Sequence, residues 1–404
     1  MVNFMIKPTS FQCNIACKYC FYLEKGNFML PQGEKKAKYM DIETAKKFIE
    51  KRITEDKNTD IYFTWQGGEP LLAGLDFYKA VVSYQKELGR VFNKKIHNAI
   101  QTNGILIDEH WAKFMKKNEF LVGISIDGDQ EFHDIYRRTV TNGATFRKVS
   151  KGLRYLEEYG VEYNTLTVVN NFNVKYPLEI YRFLKSIGSK FIQFIPVVET
   201  LDIDENFKPK WIDDENFEAR PTEFSVNPLD YAKFMNTIFD EWIKNDVTKI
   251  SIRMFDSLLA RFSGYEQTLC IFKESCGGNN VAVESDGTLY QCDHFVYPEE
   301  QFKIGNFNDL SLKEIEEKTH LLSEKKKNIS SKCKECKWLE LCHGGCPKHR
   351  FINLKDSKER VSYFCTAYQE IFEHITPGLN LIIEFKEKHI PWELFPAAVK
   401  KLYI

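Results

Sequence analysis

Eleven cysteines form two groups in this sequence of 404 residues. Three lie near the N-terminus as Cys13-x3-Cys17-x2-Cys20, and eight lie between positions 270 and 365. Thiolate sulfur is a soft ligand that binds zinc, copper(I) or iron–sulfur clusters. Three thiolates are one too few to saturate a four-iron cluster, whereas eight are enough for two saturated clusters. The spacing therefore predicts one metal site with an open position and two closed ones.

The N-terminal triplet is less typical of zinc. A zinc site usually takes a fourth ligand at similarly short range, but after Cys20 neither Cys nor His occurs until His97. A four-iron cluster with three thiolate ligands leaves one iron free for a small chelating molecule.

The C-terminal group leaves a zinc alternative open. The run Cys333-x2-Cys336-x5-Cys342-x3-Cys346 has the spacing of a zinc ribbon. A ribbon would leave four further cysteines without a role: Cys270, Cys276, Cys292 and Cys365. A zinc-stabilised binding protein without enzymatic activity is therefore one hypothesis, and two four-iron clusters are the other.

The triplet, with Tyr19 before Cys20 and Phe21-Tyr22 after it, resembles the signature of the radical S-adenosylmethionine (SAM) enzymes. The resemblance implies that the open iron binds SAM and that one electron cleaves it to a 5′-deoxyadenosyl radical. The protein would then supply a low-potential cluster and hold the radical against one C–H bond.

Further segments extend this resemblance. Gln66-Gly67-Gly68-Glu69-Pro70 is similar to the element that binds the methionine amino group of SAM. The resemblance implies seven contacts with SAM: Tyr19, Gln66, Gly68, Glu69, Ser125, Arg137 and Val198. Three of these also have purely structural interpretations, with Ser125 in a turn, Arg137 in a surface ion pair and Val198 in the core.

The eight C-terminal cysteines, with Gly287 five residues before Cys292, resemble the SPASM extension of radical SAM enzymes. That extension holds two auxiliary [4Fe–4S] clusters, which makes three clusters in all. The family's interleaved ligation implies a first set of Cys270, Cys276, Cys292 and Cys346, and a second set of Cys333, Cys336, Cys342 and Cys365. Full thiolate ligation is typical of electron carriers.

Lys7-Pro8-Thr9-Ser10 and Cys292-Asp293 narrow the resemblance to anaerobic sulfatase-maturating enzymes. These oxidise a cysteine or serine of a sulfatase motif to Cα-formylglycine, and the resemblance implies that Asp293 is the base. Oxidation of C–SH or C–OH removes one hydrogen atom, one proton and one electron. A carboxylate beside a cluster ligand can take the proton while the cluster takes the electron. Another SPASM peptide maturase, forming thioether or carbon–carbon crosslinks on a ribosomal peptide, is the alternative enzyme.

The resemblance also implies the partners. The client would be a sulfatase chain with a Cys/Ser-x-Pro/Ala-x-Arg motif, and the electron donor a flavodoxin or ferredoxin. An acidic stretch over residues 199–218 could attract the arginine of that motif.

Charge and hydropathy exclude other classes. The formal net charge is -1, which gives no reason to expect a nucleic-acid or membrane-surface partner. No apolar run approaches the ~20 residues that cross a bilayer, and the N-terminus lacks the features of a signal peptide. We therefore expect a cytoplasmic protein whose thiols stay reduced.

The elements around these motifs alternate between strand and helix patterns. Strands are predicted at residues 2–8, 60–65, 95–101, 120–126, 163–169 and 190–197. Helices are predicted at residues 41–52, 74–88, 146–158 and 229–244. Alternating strands and helices predict an α/β fold with a parallel sheet, a partial (β/α)6 TIM-type barrel. The ends of its strands would carry the active site.

The predicted domains are a barrel at residues 1–228, a helical connection at 229–265, a cysteine-rich SPASM domain at 266–370 and a helical segment at 371–404. The three consecutive lysines at 325–327 are interpreted as a solvated helix face without a function.

Overall fold

The computed structural model of the chain describes residues 2–30, 37–201, 220–276, 278, 280–355 and 357–402. Within these residues no helix combines the length and the apolar character that crossing a bilayer requires.

The strands are β1 (Phe4–Ile6), β2 (Asp60–Trp65), β3 (Lys95–Thr102), β4 (Leu121–Ser125), β5 (Tyr163–Val169), β6 (Phe191–Pro196), β7 (Thr200–Leu201), β8 (Arg220–Pro221), β9 (Ser251–Ile252), β10 (Val281–Val283), β11 (Thr288–Tyr290), β12 (Lys303–Asn306), β13 (Ile352–Asn353) and β14 (Arg360–Val361).

The α-helices are α1 (Gly26–Met29), α2 (Ile42–Glu55), α3 (Leu75–Val91), α4 (Glu109–Lys117), α5 (Gln130–Tyr136), α6 (Phe146–Glu158), α7 (Pro177–Ser186), α8 (Pro228–Asn245), α9 (Arg253–Phe262), α10 (Leu312–Lys318), α11 (His320–Lys327), α12 (Ser331–Lys334), α13 (Leu339–Cys342), α14 (Cys365–Glu387) and α15 (Phe395–Leu402).

The chain divides into two compact units, each built from several segments. Unit 1 comprises Met1–Ile126, His133–Asn164 and Cys276–Ser323. Unit 2 comprises Asp127–Phe132, Thr165–Ser275 and Glu324–Ile404. The predicted domain boundaries at 228, 265 and 370 divide the chain into consecutive segments, whereas each unit combines segments that are distant in the sequence. These boundaries stay predictions.

The sheet of unit 1 joins the start of the chain to its cysteine-rich part. Strands β1, β2, β3 and β4 pair in parallel, and β1 also pairs in parallel with β10. Strands β10, β11 and β12 then form an antiparallel meander. The sheet packs on α2 through aromatic side chains, since Phe48 contacts Phe4, Phe63 and Phe307 with ring centroids 5.3, 6.4 and 5.3 Å apart.

Local signals explain where the elements of unit 1 begin. The side chain of Asp41 accepts a hydrogen bond from Thr44 N and caps α2. Burial alternates along β2, so its buried side chains share the face that packs on the helices and the others lie on the opposite face.

Unit 2 contains three parallel strands and a helical core. Strand β6 pairs in parallel with β5 and with β9. Helix α8 begins after Asn227, which caps it through Leu229 N and Asp230 N. Its buried face includes Phe239 and Trp242, which pack on Phe255 of α9.

The predicted α/β class is confirmed, because six parallel strands, β1 to β6, alternate along the chain with helices. Strands β2 and β5 and helix α6 have the predicted bounds. The pairing of β10 with β1 was not predicted. A run of only three apolar residues carries too little periodicity to identify its partner.

The interpretation of the three lysines is wrong at one position. Lys326 is 0% exposed, whereas Lys325 is half-buried and Lys327 is exposed. A lysine is buried when tertiary partners receive its ammonium group, and three adjacent lysines in a sequence do not reveal such partners.

Candidate active site

The loop after β1 carries the N-terminal cysteine triplet within unit 1. The amide of Cys20 donates to the carbonyl of Cys17 at 3.0 Å and makes the loop compact. Ala16 N donates to Arg138 O at 2.7 Å, and Lys18 N donates to Tyr136 O at 3.0 Å. These bonds hold the cysteine-bearing backbone against residues 136–138. All three cysteines are half-buried, so none of them is enclosed in the hydrophobic core.

Two predicted SAM contacts lie together here, Tyr19 on this loop and Arg137 on the segment against which the loop is held. The Arg137 guanidinium lies 5.5 Å from the Tyr19 ring centroid, and its Nη1 atom is 4.0 Å from Cys17 Sγ. Arg137 is buried, so it is not in the surface ion pair that was the structural interpretation. It places a positive charge where thiolate ligands would be negative.

The segment after β2 approaches the cysteine loop through its backbone. Gly68 N donates to Ser10 O at 2.7 Å, and Glu69 N donates to Gln12 O at 2.8 Å. A Cβ atom on Gly68 would lie 1.9 Å from Gln12 O, so only glycine fits there. Gln66 precedes this contact, and its backbone N–H donates to Ile6 O at 2.9 Å.

Glu69 links the ends of β2 and β3. It is fully buried, and its carboxylate accepts from Leu71 N at 3.0 Å, Thr102 Oγ1 at 2.8 Å and Asn103 N at 2.8 Å. Burial raises the pKa of Glu69 to about 7, and the three hydrogen bonds oppose that rise. These contacts give Glu69 a positioning role, while its contact with SAM stays a prediction.

Asn103 is a site residue that sequence reasoning missed. Its Nδ2 atom donates to Asn14 Oδ1 at 2.7 Å and lies 3.6 Å from Cys13 Sγ. The available signal was the polar run Gln101-Thr102-Asn103-Gly104 at the end of a predicted strand. The other end of that run supports Ser125, because Gln101 Nε2 donates to Ser125 Oγ at 3.0 Å.

Val198 is buried in unit 2, two residues after the end of β6. Most of the acidic stretch lies outside the described residues, which end at 201 and resume at 220. Its first member, Glu199, forms an ion pair with Lys348, in which Lys348 Nζ lies 2.5 Å from Glu199 Oε1.

Asp293, the predicted base, is held in a buried polar group that we call the Lys7 cluster: Lys7, Ser10, Tyr22, Glu284 and Asp293. Lys7 is 1% exposed and Asp293 is 5% exposed. Lys7 Nζ lies 3.7 Å from Asp293 Oδ2, and Cys292 Sγ lies 3.6 Å from Asp293 Oδ1. The carboxylate therefore lies between a buried ammonium group and a predicted cluster ligand.

A second carboxylate completes the Lys7 cluster. The hydroxyl of Tyr22 donates to Glu284, and Lys7 Nζ lies 4.3 Å from the Tyr22 ring centroid. Burial raises the pKa of Glu284, while hydrogen bonds from Ser10 and Tyr22 and the charge of Lys7 oppose that rise. Burial holds the pKa of Tyr22 well above its usual range, and the negative charges of Glu284 and Asp293 raise it further. Tyr22 is therefore a hydrogen-bond donor here.

The segments after Cys20 and Cys292 lie against each other. Phe21 stacks on His294 with ring centroids 4.6 Å apart and planes 9° apart. The adjacent residues Tyr22 and Asp293 belong to the same buried cluster. The structure thus brings the predicted base to the loop that carries the triplet.

Unit 2 brings together the four cysteines predicted as the second auxiliary set. Cys333, Cys336, Cys342 and Cys365 line one cleft. The rest of its lining includes the aromatic residues Trp338, Tyr368 and Phe372. Burial raises the pKa of the Cys342 thiol to about 12, and a bound metal would oppose that rise by binding the thiolate. The four thiols as a donor set fit a four-iron cluster.

The first auxiliary set is distributed over both units. Cys270 and Cys346 belong to unit 2, and Cys276 and Cys292 belong to unit 1, so this ligand set stays a prediction. In the described part of the chain, no three His, Cys, Asp or Glu side chains are arranged around a position for a single metal ion. Thiolates around a four-iron cluster stand further apart than those around one ion.

Two family models match the sequence. The model of the radical SAM superfamily matches residues 8–184, and a model described as an iron–sulfur cluster-binding domain, SPASM, matches residues 270–337. The first contains the triplet and the predicted SAM contacts except Val198.

Curated relatives match almost the whole chain. A serine-type anaerobic sulfatase-maturating enzyme of Bacteroides thetaiotaomicron is 39% identical over 98% of this chain and 94% of its own. A cysteine-type anaerobic sulfatase-maturating enzyme of Clostridium perfringens is 36% identical over 94% of this chain and 97% of its own.

Solved structures agree with these relatives. Native anSMEcpe with bound AdoMet is 34% identical and superposes with a TM-score of 0.80 over 94% of this chain and 98% of its own. SuiB of Streptococcus suis bound to S-adenosylmethionine has a TM-score of 0.58 over 88% of this chain and 76% of its own, at 15% identity. The likeness to SuiB concerns the fold alone.

Proposed function

The chain belongs to the anaerobic sulfatase-maturating enzymes of the radical SAM superfamily, and we propose that it oxidises a cysteine or serine in a sulfatase motif to Cα-formylglycine. The observation that carries this proposal is the burial of Asp293 beside Lys7, next to the loop of the cysteine triplet. Membership of this enzyme family replaces the alternative of a zinc-stabilised binding protein. The crosslinking alternative is one of the outcomes of the test below.

The chain's residues fit the groups that this reaction needs. Cys13, Cys17 and Cys20 would hold the cluster that binds SAM, with Gly68 allowing the backbone to approach. When bound, SAM and three [4Fe–4S] clusters supply the radical that removes the Cβ hydrogen and the acceptor for the remaining electron. The second auxiliary cluster would occupy the cleft lined by four cysteines in unit 2.

Asp293 would remove the proton that the oxidation leaves on the substrate sulfur or oxygen. A carboxylate in a largely water-free site needs a partner that favours its charged form. Lys7, 3.7 Å away, supplies that charge and fixes the direction of Oδ2. Glu284 cannot easily take the same role, because Tyr22 and Ser10 already donate to it.

The client would be a sulfatase segment of the type Cys/Ser-x-Pro/Ala-x-Arg, and the electron donor a flavodoxin or ferredoxin in the cytoplasm. Serine-type and cysteine-type relatives match this chain at similar identity. Both substrate residues are therefore included in the test.

The test is anaerobic incubation of the iron-reconstituted protein with SAM, a reductant and matched cysteine and serine peptides. Mass spectrometry should show the aldehyde product on at least one peptide, together with 5′-deoxyadenosine. A crosslinked peptide would contradict the proposal and favour the other SPASM chemistry. Release of 5′-deoxyadenosine with both peptides unchanged would support SAM cleavage but contradict oxidation of these peptides.

A further inference from the structure

Lys326 is a fully buried lysine that the proposed reaction does not use. It is 0% exposed, near the end of α11, between a half-buried Lys325 and an exposed Lys327. Removing an ammonium group from water is costly unless hydrogen bonds and opposite charge compensate for it. Its surroundings in unit 2 should therefore provide both.

The hydrogen bonds come from backbone next to cluster cysteines. Lys326 Nζ donates to Ile271 O at 2.8 Å and to Gly345 O at 2.5 Å. Ile271 follows Cys270, and Gly345 precedes Cys346. Both cysteines are predicted ligands of the first auxiliary cluster, so the ammonium group lies beside that half of its ligand set.

The same lysine lies near the second auxiliary set. Gly345, which accepts its hydrogen bond, donates its own amide to Cys342 O at 2.9 Å. The charge of Lys326 lowers the pKa of both Cys342 and Cys346, against the larger effect of burial. One buried cation is thus shared by ligands of the two sets.

Two other cations lie nearby, and the charges of Lys348 and Arg350 also lower the pKa of Cys346, by less than the charge of Lys326 does. Arg350 is buried, and its guanidinium donates to carbonyls before and within the cysteine run: Asn328 O at 3.0 Å, Gly344 O at 2.9 Å and, like Lys326, Gly345 O, here at 3.3 Å. Lys348 pairs with Glu199. Arg350 therefore holds the backbone in place, whereas Lys326 presents a compact charge to it.

We propose that Lys326 is a fixed cation that raises the reduction potential of the auxiliary clusters and so makes them better electron acceptors. Reduction adds one negative charge to a cluster, and a buried positive charge stabilises the reduced form more than the oxidised form. The inference rests on the proposed function, in which the substrate radical gives one proton to Asp293 and one electron to an auxiliary cluster.

The test compares reduction potentials of full-length reconstituted variants in a Cys13→Ala, Cys17→Ala, Cys20→Ala background, where only the auxiliary clusters titrate. K326M removes the charge and the donors, and K326Q removes the charge but keeps a donor. K327M changes an exposed neighbour and is the matched control. We expect both Lys326 variants to shift the one-electron equilibrium about tenfold towards the oxidised form, or about 59 mV, and K327M to leave it unchanged.

Two results would overturn the inference. Unchanged potentials in K326M and K326Q at wild-type iron content would show that the charge does not act on the clusters. Loss of iron from both variants, with K327M normal, would assign Lys326 to holding the fold of the cysteine run instead. The measurement needs no substrate, so its result is separate from that of the peptide assay. A wild-type protein that modifies no peptide would contradict the proposed function but not the effect of Lys326 on the reduction potentials.

Discussion

Lys7 Nζ lies 3.7 Å from Asp293 Oδ2, and both side chains are buried. One residue belongs to the loop after β1 and the other follows β11. The parallel pairing of β1 with β10 brings the two segments together. It continues one residue past β1, where Lys7 N donates to Val283 O at 2.8 Å. The two motifs that most narrowly define the family thus form one buried ion pair beside the cysteine triplet.

Asp293→Asn should separate SAM cleavage from product formation. The amide keeps the size of the side chain but cannot act as a base at neutral pH. Loss of a general base typically slows a reaction by roughly 10²- to 10⁴-fold. We expect formylglycine formation to fall by that factor, with 5′-deoxyadenosine still released, as measured by mass spectrometry and chromatography of the same reaction.

Asp286→Asn is the matched control for this change. Asp286 is exposed and lies between β10 and β11 of the same meander, and its carboxylate accepts from Thr288 N. This control should keep the wild-type ratio of aldehyde to 5′-deoxyadenosine. An Asp293→Asn protein with the same ratio would exclude Asp293 as the base.

Lys7→Met should destabilise the protein. It leaves Asp293 and Glu284 buried without the cation that they face, and breaking a buried pair in this way costs about 3–5 kcal/mol. Anaerobic urea unfolding should show that loss. The double variant with Asp293→Asn should lose less than the sum of the two single changes, since one change has already removed the interaction.

Lys18→Met controls for removal of a lysine from the same loop, because Lys18 is exposed. Its free energy of unfolding should stay close to that of the wild type. Additive losses in the double variant would mean that Lys7 and Asp293 do not stabilise each other.

The sequence alone predicted the parts of the site that lie at strand ends. The segment from Gln66 follows a predicted strand and Ser125 lies near the end of another, and the carboxyl ends of parallel strands meet at one edge of a sheet. Spacing alone groups Cys333, Cys336 and Cys342, which line one cleft, but it also groups Cys346 with them. Cys365 required knowledge of the family, since it lies further along the chain.

Long-range partners could not be predicted. The partners of Lys7 and Lys326 depend on the tertiary placement of β10 and of the cysteine run. Nothing in the pattern Lys325-Lys326-Lys327 distinguishes the buried lysine from its neighbours. The role of Asn103 was missed because its partners, Asn14 and Glu69, come from two other loops.

Gly68→Ala should disrupt the cysteine loop. The new methyl group would lie 1.9 Å from Gln12 O, which is backbone and cannot rotate away. We expect loss of iron from the triplet site and loss of SAM cleavage, measured after reconstitution. Gly74→Ala is the control: its φ of +87° strains the backbone there, but nothing lies within 4 Å of its Cβ position, so no atom is pushed against the cysteine loop. Equal iron and equal SAM cleavage in the two variants would contradict the close approach.

Cys333→Ala combined with Cys336→Ala should remove one auxiliary cluster only. With four thiolates for each closed cluster and three clusters in all, we expect loss of about a third of the iron. SAM cleavage should persist, because the triplet is intact. Replacing Cys13, Cys17 and Cys20 should remove a similar share of iron but abolish SAM cleavage, as iron assay and 5′-deoxyadenosine release will show. Loss of SAM cleavage in the Cys333 and Cys336 variant would contradict independent sites.

Glu69 should make the stability of the metal-free protein depend on pH. Its pKa rises from 4.5 to about 7 in the folded chain because of burial, so its contribution is fully present below pH 4.5 and is lost as pH rises through about 7. The full effect is on the order of 3 kcal/mol.

Glu69→Gln removes this titration, so the free energy of unfolding of the variant relative to the wild type should increase by that amount between pH 4.5 and pH 8. Urea unfolding at several pH values measures the difference, and titrations elsewhere in the chain cancel in the comparison. A difference that stays constant with pH would show that Glu69 remains ionised throughout, with the donors Leu71, Thr102 and Asn103 outweighing its burial.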